Sequence, residues 1–176
     1  WETVNDDGRI GYVDPMSPFS SYPSMDWPGG PDELRAKTEQ RSYQAGAGLW
    51  IGAQMSGELI FSEHGPFSIV DEGTFEPISR QNNFIELAGF DSTMPEQTVF
   101  ASWTTSKGVR VDLESHAWSY PGYNNFIIHD YLFTNETGAS LTEMFVGFPW
   151  LLRPSYQDLL VHNGWGDDLN RMDDVV

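Results

Sequence analysis

Two stretches of the chain carry oxygen-bearing side chains at spacings that suit a hard cation. The first runs Asn5-Asp6-Asp7-Gly8-Arg9-Ile10 and on to Asp14. Calcium loops set oxygen ligands on alternate residues, use a glycine for the sharp turn and close on an acid. On that template Thr3 takes the first position, Asn5 the third, Asp7 the fifth, Gly8 the sixth and Asp14 the twelfth. Thr3 stands where an acid is usual, and Asp14 is shorter than the usual bidentate Glu. Asp7-Gly8 also spells a hairpin turn between two strands, and that plainer reading is preferred. The second stretch is Gly164 to Asp174, where Asp167, Asp168, Asp173, Asp174 and Asn170 crowd together. Crowded carboxylates repel one another unless a cation or solvent screens them. Asp167, Asp168 and Asp173 are the candidate calcium ligands here, and a solvated acidic loop is the alternative.

Acid–base chemistry has a thinner basis. His64, His116, His129 and His162 show no zinc spacing. Asp112, Glu114 and His116 alternate and so share one face of a strand. With His129 and Asp130 from a neighbouring strand, that row has the residue types for proton transfer, although such a row is more often the wet face of a sheet. No nucleophile elbow, phosphate loop or dinucleotide fingerprint occurs. A glycosidase needs two facing carboxylates, and a chain with 26 acids neither supports nor excludes a pair. No catalytic residue is assigned.

Aromatic side chains suggest binding instead. In His116-Ala117-Trp118-Ser119-Tyr120-Pro121-Gly122-Tyr123, the rings of Trp118, Tyr120 and Tyr123 are candidates for stacking on sugars. The preferred alternative is that large aromatics fill a core or an interface between protomers. Asn135-Glu136-Thr137 is a glycosylation sequon at an expected turn.

Composition narrows the classes further. The 176 residues hold 9 basic and 26 acidic side chains, a net charge of −17. Such a chain repels nucleic acid and anionic membranes, which need a basic footprint. Cysteine is absent, so disulfides and thiolate metal sites are excluded. No window reaches the length of apolar chain that spans a membrane. Aromatics make up 14% of residues, which argues for a packed core despite the charge.

The elements that must position these residues read as strands. Gly108 to Glu114 alternates, with Val109, Val111 and Leu113 on one face and Arg110, Asp112 and Glu114 on the other. Ala47 to Ala53 and Glu58 to Ser62 form a hairpin-like pair around Ser56-Gly57. Asn125 to Thr134 is apolar on both faces and is expected to be a central, covered strand. Ser140 to Phe148 returns after the turn at Asn135 to Gly138. Weaker strands are expected at Gly8 to Val13, Ser68 to Val70, Asn83 to Leu87 and Thr98 to Trp103. Helical signals are confined to Pro31 to Arg41 and Ser155 to Val161, both short. Pro15 to Pro31 reads as a long ordered loop. The expectation is an all-β fold, an antiparallel β-sandwich with long loops and little helix, in which residues 1–176 form a single module.

The segments Asn5 to Tyr12, Trp27-Pro28-Gly29-Gly30, Ala47 to Ala53, Phe126 to Asn135 and Gly164 to Asp168 occur in that order. The pattern resembles the N-terminal β-rich region of large secreted, multidomain bacterial proteins of unknown activity, which often carry C-terminal sorting or immunoglobulin-like modules. The Asn5 loop alone resembles one calcium repeat of the dockerins. The resemblance implies a secreted or cell-surface location and brings no catalytic residue. The opening Trp1-Glu2-Thr3 and the closing Val175-Val176 read as a piece of a longer chain, with a complete small protein freed of its leader as the alternative. The leading functional expectation is a non-enzymatic extracellular structural or assembly module, a filament or coat subunit that associates with itself or with other domains of its chain. A carbohydrate-binding module stabilised by calcium ranks second, and an enzyme acting on polysaccharide third.

Overall fold

The computed structural model describes residues 2–11, 26–27, 41–42, 44–65 and 73–152, and among these it contains strands and turns but no helix. In chain order the strands are β1 (Asp26–Trp27), β2 (Arg41–Ser42), β3 (Gln44–Ala47), β4 (Leu49–Met55), β5 (Glu58–His64) and β6 (Thr74–Phe75). They continue with β7 (Ser79–Asn82), β8 (Gln97–Thr104), β9 (Val109–Ala117), β10 (Ile127–Asn135), β11 (Leu141–Gly147) and β12 (Trp150–Leu152). The larger sheet has the order β10-β9-β8-β6, with β7 also paired to β8, and a second has the order β11-β4-β5. All these pairings are antiparallel. β3 pairs with β12 just beyond the second sheet, and the Gly48 N–H donates to the Pro149 carbonyl at 3.0 Å across the gap.

Alternation sets which face each strand buries. In β9, Val109, Val111 and Leu113 are buried, while Arg110 and Asp112 are half-buried and Glu114 is exposed. In β8, Ala101 and Trp103 point the same way. These five side chains form one cluster with Leu49 and Ile51 of β4, and Val4, Tyr131, Phe133, Leu141 and Val146 pack around it. The fold is thus all-β, with the inner faces of two antiparallel sheets contributing to one core. Burial of this apolar surface is the main favourable term.

Turn chemistry joins the strands. Ser56 (φ 55°) and Gly57 (φ 84°) both adopt left-handed backbone between Met55 and its partner Glu58. Two such residues make the two-residue turn whose twist matches a hairpin. Between β8 and β9 the Gly108 N–H donates to the Thr105 carbonyl at 2.9 Å, and Thr105 Oγ1 accepts from the Val109 N–H at 3.1 Å.

The N-terminal residues form a small hairpin docked on β3. Val4 bridges Ile10, and Ile10 bridges Ala47 through hydrogen bonds of 3.0 and 2.7 Å. Its tip, Gly8, has φ 79° and lies against the buried Trp103 ring, so that a Cβ there would fall inside the indole. In β11 the pairing shifts between Thr142 and Phe145, a bulge with Glu143 at φ 49°. Gln54 Nε2 donates to Glu143 Oε2 at 2.7 Å beside it.

Several expectations need correction. Asn83 to Leu87 is not a strand: β7 ends at Asn82, and residues 85–86 turn. The reason is the Asn83 side chain, which donates to the Asp91 carbonyl at 2.7 Å and accepts from the Asp91 N–H at 2.9 Å, closing a loop. β10 is not a central covered strand. It ends the sheet order, and Ile128, Asp130, Leu132 and Thr134 on its outward face are exposed. The expected strand Gly8 to Val13 reduces to the bridges at Ile10, with residues 12–13 outside the described set. Ser68 to Val70, Ser155 to Val161 and nearly all of Pro15 to Pro31 also lie outside it. So does the helical window from Pro31, except Arg41, which is in β2.

The Gly8–Trp103 contact gives a stability prediction. Gly8→Ala lowers the unfolding free energy by about 2–5 kcal/mol, combining a left-handed backbone cost of about 1–2 kcal/mol with overpacking of about 1–3 kcal/mol. Gly57→Ala carries only the backbone part, because open space surrounds that position. Urea unfolding of the two variants measures the difference, and equal losses would refute the Gly8–Trp103 constraint.

Candidate functional site

Strand register lays out the outward face of the larger sheet as rows. Thr98, His116 and Ile128 form one row, Phe100, Glu114 and Asp130 the next, and Ser102, Asp112 and Leu132 a third. The His116 ring sits at the crossing of the first two. Its Nδ1 is 3.1 Å from Thr98 Oγ1, and its Nε2 is 3.2 Å from Asp130 Oδ2 and 3.7 Å from Glu114 Oε2. Asp112 is taken up elsewhere. Arg110 contacts Asp112 at 2.8 Å and Glu76 at 2.6 Å, and the Ser102 hydroxyl donates to Asp112 at 2.7 Å. The hydrogen bond from Arg110 holds the Asp112 carboxyl below its ordinary range; partial burial opposes this and Ser102 assists it. The same two acids push the Arg110 guanidinium further toward its charged form.

Of the acid–base row expected from sequence, the structure therefore gathers Glu114, His116 and Asp130. His129 belongs to the opposite face, because side chains of β10 alternate. There its Nε2 lies 3.1 Å from Oε1 of Glu2, whose side chain is only 2% exposed. Neither group makes a hydrogen bond of good geometry. The two meet as a buried close contact next to Tyr131, whose phenol is raised first by burial and then by Glu2.

The connection from β9 to β10 carries a ridge of rings. Trp118 lies 6.5 Å from His116 and 5.8 Å from Phe126 between ring centroids, and Phe126 lies 5.9 Å from Tyr123. Tyr123 and Phe126 are exposed. Buried Glu96 anchors the base of the loop by accepting from the Ser119 N–H and from its hydroxyl. The loop turns on Tyr120, whose carbonyl accepts from the N–H groups of Tyr123 and Asn124. The Tyr120 hydroxyl itself is closed off from solvent. Burial, then the Glu96 and Glu86 carboxylates, raise its phenol above the ordinary range. Of the three expected stacking residues, Trp118 and Tyr123 thus join the ridge, while Tyr120 supports it. Phe126, which the sequence reading assigned to a strand, completes it.

A second aromatic surface was not foreseen. On the outward face of the β11-β4-β5 sheet, Phe61 and Phe145 both pair with Gly52. Their centroids are 6.4 Å apart at 30°, and Trp50 adds an edge contact to Phe61 at 6.4 Å. Trp50, Leu59, Phe61 and Phe145 are all exposed. A Cβ at Gly52 would fall inside the Phe145 ring, so the glycine is the floor on which that ring lies. A glycine inside an apolar strand marks such close approach, and it was the available signal.

The candidate calcium ligands are placed as follows. Asn5 donates from Nδ2 to the carbonyls of Arg9 and Gly11, both at 2.9 Å. The buried Asp7 accepts from the Arg9 N–H at 3.0 Å and from Arg9 Nε at 2.6 Å. The Thr3 carbonyl accepts from the Gly11 N–H. Asn5 and Asp7 therefore serve the hairpin turn. Asp14, Asp167, Asp168 and Asp173 lie outside the described residues, among which no group of three or more His, Asp or Glu side chains is placed to hold a metal ion. Asn135 of the sequon ends β10, and its Oδ1 accepts from the Thr137 N–H and hydroxyl at 3.0 and 2.7 Å. Among the described residues no helix is long and apolar enough to cross a membrane.

Comparison with protein-family models, with curated proteins and with solved structures finds no match.

Two predictions arise from these paired groups. His129→Ala removes the group that faces the buried Glu2 side chain and costs about 1–3 kcal/mol, whereas the Glu2→Gln/His129→Gln pair costs less than the sum of its single changes. A double-mutant cycle in denaturant reads the coupling, and additivity would show that the two side chains do not interact. Asp112→Asn destabilises at neutral pH. The depressed native pKa means that the Asp112 contribution is complete above its ordinary value of 3.8 and is lost as pH falls through the lower native value. Melting curves of wild type and variant should therefore converge in acid, and a gap that persists unchanged would count against this assignment.

Proposed function

We propose that this chain is a non-enzymatic assembly module of an extracellular or cell-surface structure, a subunit of a filament or coat that associates with further copies of itself through the Trp50–Phe61–Phe145 face. One observation carries the reading: three rings are held together on an outward sheet face, on a glycine floor, and are left exposed. Contiguous exposed aromatics mark interaction surfaces, since water contact at that area is unfavourable. Aromatic residues are also enriched at the centres of interfaces, where charged ones are depleted. The centre of this face fits that description, with Glu63 opposite Trp50 and Glu143 beside Gln54 toward its rim. The acidic character of the chain keeps single copies soluble until assembly. A secreted location is the part of this reading that rests on the family resemblance.

The charge of −17 gives the reading a distinctive consequence. Copies repel one another, and salt screens that repulsion while leaving apolar contact intact. Association is expected to strengthen between low and physiological ionic strength, the reverse of a charge-driven complex. Sedimentation velocity over a concentration series, with electron micrographs of the most concentrated sample, provides the measurement. Phe61→Ser and Phe145→Ser should each weaken association about tenfold or more while leaving the β-sheet circular dichroism intact. A chain that stays monomeric at high concentration and high salt would overturn the proposal.

A further inference from the structure

We propose that the ridge of Trp118, Phe126 and Tyr123, with Glu114 and Asp130 beside it, is a binding site for a polysaccharide whose pyranose units carry protonated amines. The site lies on the other sheet from the Trp50 face and does not depend on assembly. Two features meet there. The rings provide apolar faces that can cover the C–H face of a sugar, and their negative π-faces attract a cation. The carboxylates of Glu114 and Asp130 are well exposed and are joined to the ridge through His116, whose ring contacts both acids and Trp118.

Charge selects the ligand. Arg110 lends a full positive charge to Asp112 and Glu76 in the neighbouring rows, whereas Glu114 and Asp130 have only one imidazole between them. The site is therefore anionic on a strongly anionic chain, and polymers of uronic acid are repelled. A neutral glycan can stack on the rings and donate hydroxyl hydrogen bonds to the acids, but it brings no positive charge to offset theirs. An amino-sugar polymer uses both, with one unit on Phe126 and Tyr123 and the ammonium of a neighbouring unit at the carboxylates. Preorganisation supports this assignment, because Glu96 fixes Ser119 and hence the entry to the loop, so that little ordering is left for the moment of binding.

The test titrates the full chain calorimetrically with a glucosamine hexamer, its N-acetylated counterpart and an oligolysine of equal charge. The glucosamine hexamer should bind about tenfold more tightly than either of the others. Trp118→Ala should weaken that binding about tenfold, and so should the paired change Glu114→Gln with Asp130→Asn. Tyr123→Ala, on a well-exposed ring, tests stacking should Trp118→Ala fail to fold, and its melting temperature should match wild type. Phe145→Ser should leave binding unchanged, which separates this site from assembly. Absence of binding, equal affinity for the N-acetylated hexamer, equal affinity for oligolysine, or indifference to Tyr123→Ala would each overturn the proposal.

Discussion

The described structure depends on where the Trp103 ring is placed. The indole is almost wholly buried, and it belongs to the cluster in which β8 and β9 meet β4. Its other contacts reach beyond that cluster. The Gly8 tip of the N-terminal hairpin lies against the ring, and His64 at the end of β5 tilts onto it at 6.5 Å. Three separate parts of the chain are thus held to one side chain. Close packing of this kind has no slack, since interiors are as dense as molecular crystals. A glycine at position 8 is needed twice over, for its backbone angle and for its missing Cβ.

With the inner faces fixed in this way, the outer faces follow from register. Because Leu113 must point inward, Glu114 and Asp112 must point outward, and the pairing of β9 with β10 brings Asp130 to Glu114. Because Leu49 and Ile51 are in the core, Trp50 and the Gly52 floor face outward. The two surfaces for which binding is proposed are therefore by-products of the same alternation that builds the core. They differ in chemistry, one being apolar with acids at its rim and the other a ridge of rings joined through His116 to exposed carboxylates.

Local features were legible in the sequence. The Val109-Val111-Leu113 alternation and the Ser56-Gly57 turn depend on neighbours along the chain, and both stand as read. The Asp7-Gly8 turn does as well. Features that need long-range pairing were not legible. Apolar residues on both faces of β10 suggested a covered strand, yet the outward Ile128 and Leu132 remain exposed at the end of the sheet. His129 and Asp130 looked like partners in one row, and alternation sends one to a buried Glu2 and the other to His116. The carboxylate of Glu2 had no visible significance until folding carried it to β10. Likewise the Phe61–Gly52–Phe145 contact joins three strands, and no local window contains it.

The bulge in β11 has a consequence for how such a surface can arise. Leu141 and Val146 both reach the core although an odd number of steps separates them, which a regular strand forbids. The extra residue between Thr142 and Phe145 acts as a reading-frame shift in three dimensions. Upstream of it the odd-numbered positions face the interior, and downstream the even-numbered ones do. A ring that uninterrupted pleating would have hidden is delivered to the outside, so one inserted residue decides which side chains of the strand meet solvent.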